Sequence, residues 1–366
     1  MPPIIGLSGR VVNDHVFNSE RFSERGGSYW FHGGGRAFQV VPERPLDGNR
    51  KVPARFDRSV LQYADYSQFG GGTYNAAAAM AAIAPDIELR YSDSGTPNPA
   101  LEADLARRGI ACRFRGLFPT LDNLVTGDPR AEDKIIFKSQ PPPHAIPIPP
   151  EDQLAWIKQG GTVFLNSDNH HPWVTRLAGD AARGRLNLHV VLTPSLPGPY
   201  LLKAVVPHAR LIVAGLDELG AALGVRVRNS VEGGVEALRM LAERAMSPVV
   251  HLTLGKDGVL VTDPEDMTAR HVRLAPAKHR DVQRHLRDHS KVCGCGDCYA
   301  GAVTLYTVAG RSVFGAGPLN DSPFVSAAVA GCGAAVRRLG YTGPLGPDDF
   351  VVTEAGYLGA ARDGAA

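Results

Sequence analysis

The sequence predicts an α/β fold in which helices cover both faces of a mostly parallel β-sheet. Short apolar runs rich in β-branched residues alternate with longer amphipathic segments. Such runs are typical of strands buried on both faces, and the segments between them are typical of crossover helices. A chain of 366 residues is long enough to bury one large core. We therefore expect one domain over residues 1–366.

The predicted elements follow one another as strand, helix and strand. The helices have recognisable ends, because an Asn-Pro pair or an acidic first turn opens several of them and a glycine closes two. The candidate strands are Thr162–Leu165, Val190–Thr193, Leu211–Ala214, Val249–Leu254 and Val259–Thr262. The candidate helices are Pro99–Arg108, Glu232–Met246, Asp297–Ala309 and Val325–Leu339.

The composition favours a cytoplasmic globular protein. Hydrophobic residues make up 44% of the chain, charged residues 21%, and the formal net charge is +2. This charge predicts no nucleic-acid partner, and no apolar run reaches the roughly 18 residues that span a bilayer. The first residues lack the pattern of a signal peptide. Five cysteines, three of them crowded between Cys293 and Cys298, do not resemble a disulfide framework.

Three segments interrupt the alternation of strands and helices. Residues 16–69 carry glycines, prolines and aromatic side chains, and we expect them to form a lid or small subdomain. The proline-dense segment Ser139–Gln153 is typical of a stiff connector. The basic, histidine-rich segment Ala277–Lys291 favours a solvated loop or helix face, although binding to a phosphate or an acidic substrate remains open.

The segment that begins at Val292 carries the strongest chemical signal. A glycine-rich turn, Gly294-Cys295-Gly296, leads directly into an apolar helix with Asp297 at its start. Backbone N–H groups in such a turn point away from the positive end of the helix, so the turn predicts an anion site. An aspartate beside it could accept the proton of an attacking hydroxyl. An acidic first-turn residue after a glycine loop is the purely structural alternative.

The cysteines of this segment also admit a metal site. Cys293, Cys295 and Cys298 could in principle bind zinc or an iron–sulfur cluster. The spacing lacks a second ligand pair, and small side chains in a tight turn explain these residues equally well. We therefore favour a structural role for them.

The segment around Asp297 resembles the C-terminal signature of the ribokinase/PfkB carbohydrate kinases, Asp-Thr-Thr-Gly-Ala-Gly-Asp-Ala-Phe. Gly294, Cys295, Gly296 and Asp297 match Gly-Ala-Gly-Asp, and Tyr299 matches the aromatic residue. The resemblance implies a ribokinase-like α/β/α sandwich with a small β-rich lid. It also implies that Asp297 is the catalytic base and that the Gly294–Gly296 backbone forms the anion hole. The first aspartate and threonine of the signature are replaced by Lys291 and Val292.

The N-terminal part of the chain extends this resemblance. Gly70, Gly71 and Asn75 match the pattern Gly-Gly-x-x-x-Asn, which implies contacts to substrate hydroxyls. Asp14 resembles the strand-end aspartate that holds sugar hydroxyls in the same family. A glycine turn with a helix-capping Asn, and a simple turn aspartate, are the structural alternatives.

The resemblance also assigns a nucleotide site. Thr253, Gly255 and Lys256 fall on the hairpin that lines the ATP phosphates, and Glu218 falls on the glutamate that organises Mg²⁺. The usual asparagine positions of the magnesium and adenine motifs are Gly215 and Val329 here.

Together these matches imply an ATP- and Mg²⁺-dependent phosphotransferase that acts on a hydroxyl of a sugar, nucleoside, cyclitol or aminoglycoside. The long lid suggests a bulky acceptor and offers a surface for a homodimer. GTP or ADP remains possible as the donor. The altered positions keep open a second interpretation, a kinase-like binding or regulatory protein.

Overall fold

Strands and helices alternate along the chain, as the sequence predicts. The structure is a computed structural model that describes residues 3–43, 46, 51–118, 120–128, 133–139, 151–166, 171–193, 198–244, 249–285 and 294–358. The helices are α1 (Gly72–Ile83), α2 (Pro99–Arg107), α3 (Glu151–Lys158), α4 (His171–Ala182), α5 (Gly198–Tyr200), α6 (Leu216–Leu223), α7 (Val231–Arg244), α8 (Pro276–His285), α9 (Cys295–Ala309) and α10 (Pro323–Arg338). Within these residues no helix has the length and apolar character needed to cross a bilayer.

The strands form two large sheets and one short hairpin. Numbered along the chain, they are β1 (Ile4–Gly9), β2 (Val12–Phe17), β3 (Phe22–Arg25), β4 (Ser28–Gly33), β5 (Arg36–Pro42), β6 (Lys51–Phe56), β7 (Tyr66–Gly70), β8 (Glu88–Gly95), β9 (Ile110–Phe118), β10 (Leu121–Asp128), β11 (Asp133–Lys138), β12 (Thr162–Asn166), β13 (Asn187–Val191), β14 (Ala209–Gly215), β15 (Val249–Thr253), β16 (Val259–Asp263), β17 (Thr268–Leu274), β18 (Arg311–Ser312), β19 (Gly315–Ala316) and β20 (Phe350–Tyr357).

The main sheet has the order β20-β17-β16-β15-β14-β13-β12-β1-β8-β9. Neighbouring strands from β9 to β15 are parallel, and β16, β17 and β20 continue the sheet in antiparallel fashion. Parallel strands need crossover connections, which the intervening helices supply. The mostly parallel sheet confirms the predicted α/β class.

Helices cover both faces of the main sheet. Side chains of α1, α2, α9 and α10, among them Met80 and Val303, form one apolar core against it. Side chains of α3, α4, α6 and α7, among them Trp173 and Leu238, form the other. Buried on both faces, the parallel strands read as continuous apolar runs, which is why the sequence reveals them.

One strand was predicted at the wrong place. The sequence predicts a strand at Val190–Thr193, whereas β13 spans Asn187–Val191. In the sequence, the polar His189 marks the N-terminal end of the apolar run that starts at Val190. In the structure its side chain is 2% exposed and lies inside the strand. The strand therefore begins before this buried histidine, and the apolar run alone places it too far toward the C-terminus.

The second sheet, here called the lid sheet, has the order β3-β4-β5-β6-β11-β10-β2-β7. It contains the segment 16–69 and also takes two strands from residues 121–138. An aromatic cluster joins these parts, because the ring of Phe31 lies 4.7 Å from that of Phe17 and 5.9 Å from that of Phe137. The lid sheet therefore has a core of its own.

Two other predicted segments are only partly described. Most of the proline-dense connector, residues 140–150, lies outside the described residues. The basic segment begins in helix α8, where Val282 is buried against Val336 and Tyr341. Residues 286–291, the end of that segment, are likewise outside the described part of the chain.

Candidate active site

The site is built first on the N-terminus of α9. Gly294 precedes this helix with φ of 85° and ψ of 0°, a left-handed conformation that favours glycine. Its carbonyl accepts a hydrogen bond of 2.8 Å from the N–H of Cys298, which closes the first helical turn. The N–H groups of the first turn have no partner within the helix and lie at its positive end. Asp297, half-buried in this turn, thus stands beside a cluster of anion-binding donors.

Asn75 brings a second helix N-terminus to the same place. Its Nδ2 donates a hydrogen bond of 3.0 Å to Oδ2 of Asp297, across 222 positions of sequence. Helix α1 can approach α9 this closely because a Cβ on Gly301 would lie only 2.6 Å from the carbonyl oxygen of Ala76. The structure therefore joins the two strongest predicted motifs in one site.

Asn166, at the end of β12, is a site residue that the sequence analysis missed. A Cβ on Gly72 would lie 2.1 Å from Nδ2 of Asn166 and 3.0 Å from Oδ1 of Asp297. Nδ2 of Asn166 and Oδ1 of Asp297 therefore lie close to the same point, next to the first residue of α1. Its position directly after the buried run VFL was the signal available, since polar groups at the carboxyl ends of parallel strands face the ligand crevice.

Asp14 lies on β2 of the lid sheet. Its Oδ1 accepts a hydrogen bond of 2.9 Å from Nδ2 of Asn123, and a Cβ on Gly70 would lie 2.0 Å from its Oδ2. Burial raises the pKa of the Asp14 carboxyl above its usual range, and the negative charge of Asp297 raises it as well, against the lowering effect of the Asn123 amide.

Gly71 shapes the junction between the lid sheet and α1. It precedes the helix with φ of 101° and accepts a 2.9 Å hydrogen bond from the N–H of Asn75. A Cβ here would lie 2.5 Å from the carbonyl oxygen of Arg10, so a larger residue would force the chain away from the β1–β2 turn. The absence of side chains at Gly70 and Gly71 therefore lets this part of the backbone lie close to Asp14 and to the β1–β2 turn.

Buried hydrogen bonds of Arg115 and Asp93 support the β1–β2 turn. Nε of Arg115 donates to the carbonyl of Asp93 at 3.1 Å, and a carboxylate oxygen of Asp93 accepts the N–H of Val11 at 2.9 Å. Burial raises the pKa of Asp93 to about 6, against the lowering effect of hydrogen bonds from the N–H groups of Gly95 and Val11. The turn that leads into β2, and hence to Asp14, is thus held by buried polar contacts.

The predicted nucleotide residues lie at the same carboxyl edge of the main sheet. Thr253 ends β15, and its hydroxyl donates to the carbonyl of Ala214 on β14 at 3.2 Å. Gly255, with φ of 63°, opens a short 3₁₀ turn that contains Lys256. None of these residues has a described contact with Asp297. Asp297 lies at this carboxyl edge too, because its Oδ1 and the side chain of Asn166, the last residue of β12, both lie near Gly72.

Glu218 caps the helix that follows β14. Its Oε2 accepts the N–H of Gly215 at 2.7 Å, so the capping role expected of an acidic helix start is present. A carboxylate has two oxygens, and Mg²⁺ in nucleotide sites typically uses one or two carboxylates together with phosphates and water. Glu218 therefore fits an outer contact to Mg²⁺. Among the described residues, no group of three or more His, Cys, Asp or Glu side chains could hold a metal.

Two of the motif's cysteines lie in the described part of the chain. Cys298 is buried, and its thiol lies 3.7 Å from the carbonyl oxygen of Asn75. Cys295 is half-buried in the first turn of α9. Cys293, like Lys291 and Val292, lies outside the described residues.

The position matched to the adenine motif, Val329, is 2% exposed and belongs to the apolar core.

Two buried histidines support α9 from the sheet. Nδ1 of His251 lies 2.6 Å from the hydroxyl of Tyr299, and Nδ1 of His189 lies 3.2 Å from the hydroxyl of Thr304. Burial lowers the pKa of each histidine to about 3, so both are neutral near pH 7. The catalytic helix predicted from sequence thus rests on polar contacts that only the structure reveals.

Solved kinase structures resemble the chain over nearly its whole length. A ribokinase from Cryptococcus neoformans in complex with ADP aligns at 16% identity and TM-score 0.60, over 93% of this chain and 97% of the other. An adenosine kinase from Sinorhizobium meliloti aligns at 15% and 0.62, over 94% and 96%. A microbiome-derived acarbose kinase aligns at 15% and 0.57, over 92% of both chains.

The comparisons of whole sequences give no match. No protein-family model matches the chain, and no curated protein does. At such low identity, likeness to solved structures establishes architecture and leaves function to be argued from the site. The order of the strands, the lid sheet and the alignment over more than nine tenths of the chain confirm the predicted architecture. The chain adopts the ribokinase-like fold.

Proposed function

We propose that this protein transfers the γ-phosphoryl group of ATP to a hydroxyl of a sugar, a nucleoside or a related polyol. The observation that carries the proposal is the position of Asp297, which lies in the first turn of α9 at the positive end of the helix and is hydrogen-bonded to Asn75. Phosphoryl transfer needs an aligned hydroxyl, a proton acceptor and positive charge for the transferred group. Asp297 would be the proton acceptor, the N-terminus of α9 would supply positive charge, and the polar side chains around them would align the acceptor's hydroxyl.

The two carboxylate oxygens of Asp297 have different surroundings, which suits one of them to accept a proton from the substrate. Oδ2 is held by Asn75, while Oδ1 faces the region between Gly72 and Asn166. An acceptor hydroxyl bound at Oδ1 would attack the γ-phosphorus as its proton passes to the carboxylate. The new bond forms between the hydroxyl oxygen and phosphorus, and the bond from phosphorus to the bridging oxygen of ADP breaks.

The backbone of Gly294, Cys295 and Gly296 would stabilise the charge on the transferred group. Donors of this kind act strongly because the fold fixes them before the reaction begins. Mg²⁺, held through Glu218 and water, would neutralise charge on the ATP phosphates. Thr253, Gly255 and Lys256 would bind those phosphates from the neighbouring strand end.

The acceptor would bind between the main sheet and the lid sheet. Asp14, Asn75 and Asn166 offer carboxylate and amide groups, which suit the hydroxyls of a polyol. The structural neighbours include a ribokinase, an adenosine kinase and an acarbose kinase, so the fold serves kinases of different acceptors. The large lid sheet favours a bulky acceptor here.

The test is incubation with Mg-ATP and a panel of sugars, nucleosides, cyclitols and aminoglycosides, followed by mass spectrometry. We expect one acceptor class to gain a single phosphoryl group. Asp297→Asn should reduce turnover by at least roughly two powers of ten, because the base is lost while the shape is kept. Asp217→Asn, which removes an exposed first-turn carboxylate from α6, is the matched control and should retain turnover.

Two outcomes would contradict the proposal. Near-normal turnover by a folded Asp297→Asn protein would show that Asp297 is not the base. Tight ATP binding with no transfer to the panel or to the small molecules of a cell extract would favour a binding or regulatory protein.

A further inference from the structure

Arg338, in the last turn of α10, is a half-buried cation with no counter-charge among the residues that the structure describes. Its Nε atom is inaccessible to solvent and has no hydrogen-bond partner within the described ranges. Its guanidinium forms no hydrogen bond or ion pair with any residue in the part of the chain that the structure describes. The neighbouring Arg337 differs, because its Nη1 donates to the carbonyls of Tyr341 and Gly343 at 3.0 and 2.9 Å.

The guanidinium of Arg338 lies next to Gly294, the residue that precedes α9. A Cβ on Gly294 would lie 3.5 Å from Nε of Arg338 and 2.8 Å from Nδ2 of Asn75. The same Asn75 amide donates to Asp297. Arg338 is therefore separated from the candidate base only by the backbone of Gly294 and one amide side chain.

A partly buried charge without an opposite charge is unfavourable, since it loses water and gains nothing in return. Several other arginines that lose water in the described chain have polar partners. Arg90 pairs with Glu88, Arg108 pairs with Asp104, and Arg115 donates to the backbone carbonyls of Asp93 and Gly9. An anion bound at the first turn of α9 would provide the missing compensation for Arg338. Groups with unmet electrostatic needs concentrate at functional sites for this reason.

We propose that Arg338 is a positioning residue for phosphoryl transfer. Its guanidinium packs against Gly294, fixes the turn whose N–H groups face the transferred phosphoryl group, and adds a permanent positive charge behind them. The inference rests on the proposed kinase function and extends it to a residue outside the glycine-rich motif. Arginine suits this role because it stays protonated at any physiological pH.

The test compares Arg338→Gln with Arg337→Gln. Both remove one positive charge from the same helical turn, but only Arg338 contacts Gly294. We expect Arg338→Gln to lower kcat by roughly ten- to a hundredfold with little change in KM for the acceptor, because charge stabilisation acts on the transition state. Arg338→Lys should recover part of the loss, and millimolar guanidinium should partly rescue Arg338→Ala. Arg337→Gln should retain kcat and lose stability only.

Equal kcat for Arg338→Gln and the wild type would overturn the inference while leaving the kinase proposal intact. So would a loss of kcat that guanidinium and lysine fail to restore and that matches the loss of folded protein. If the wild type binds ATP but its acceptor has not been found, the ratio of ATP to ADP affinity provides the readout. We expect Arg338→Gln to reduce that ratio several-fold, and an unchanged ratio would refute the role. A wild type that neither binds ATP nor transfers phosphate would instead refute the kinase proposal.

Discussion

Alanine substitutions at Gly294 and Gly296 should have opposite effects on stability, although the two residues are only two positions apart. Gly294 has a left-handed conformation, which costs a non-glycine residue about 1–2 kcal/mol. Its new methyl would also lie 2.8 Å from Nδ2 and 3.1 Å from Cγ of Asn75. Overpacking of this kind typically costs about 1–3 kcal/mol. We expect Gly294→Ala to lower the free energy of unfolding by about 2–5 kcal/mol.

Gly296 has neither constraint. It lies inside the first turn of α9, and a Cβ there would meet no atom within 4 Å. Because alanine favours a helix over glycine by up to about 1 kcal/mol, Gly296→Ala should keep or slightly raise the free energy of unfolding. Urea denaturation followed by circular dichroism would measure both variants against the wild type.

A third variant tests the cause of the predicted loss. If Gly294→Ala is destabilised partly by contact with Asn75, then Asn75→Ala should relieve that part, and the double variant should show a coupling of about 1 kcal/mol or more. Equal losses for Gly294→Ala and Gly296→Ala, or strict additivity with Asn75→Ala, would refute this account of the turn.

Three further perturbations have defined outcomes. In the wild type, the free energy of unfolding should fall as the pH falls from 6.5 to about 3, because His189 gains a proton there only in the unfolded chain. His189→Leu should reduce the slope of this fall by about 1.4 kcal/mol per pH unit. An unchanged slope would contradict the burial of a neutral imidazole. Asp14→Asn should raise KM for the acceptor by roughly ten- to a hundredfold and leave KM for ATP unchanged, and an equal rise in both would point to a structural role. Gly301→Ala places a methyl 2.6 Å from the carbonyl oxygen of Ala76. It should separate α1 from α9 and lower kcat well beyond the fall seen in Gly296→Ala; activity equal to Gly296→Ala would show that helix spacing does not set the site.

The sequence predicts those parts of the fold and the site that depend on local chain geometry. The apolar runs of the parallel strands and the turn Gly294–Gly296 are each recognisable within a few residues. The position of β13 was missed because His189 looks polar in sequence and is buried only through contacts with α9. The extension of the lid sheet across β10 and β11 was missed for a similar reason, since the pairing of β2 with β10 joins residues more than 100 positions apart.

The site shows the same division between local and distant information. Asp297 and Asn75 could be proposed because each stands in a distinctive local motif. Asn166 and Arg338 have no such motif, and their importance follows only from where β12 and α10 end in space. Glycines at the points of contact allow these four residues to come together. Gly301 leaves room for the backbone of α1, and Gly294 leaves room for the Asn75 amide and the Arg338 guanidinium. A polar site assembled from distant segments thus depends on the absence of side chains at the points where those segments meet. Substitutions at such glycines should therefore affect chemistry as strongly as substitutions at the polar residues themselves.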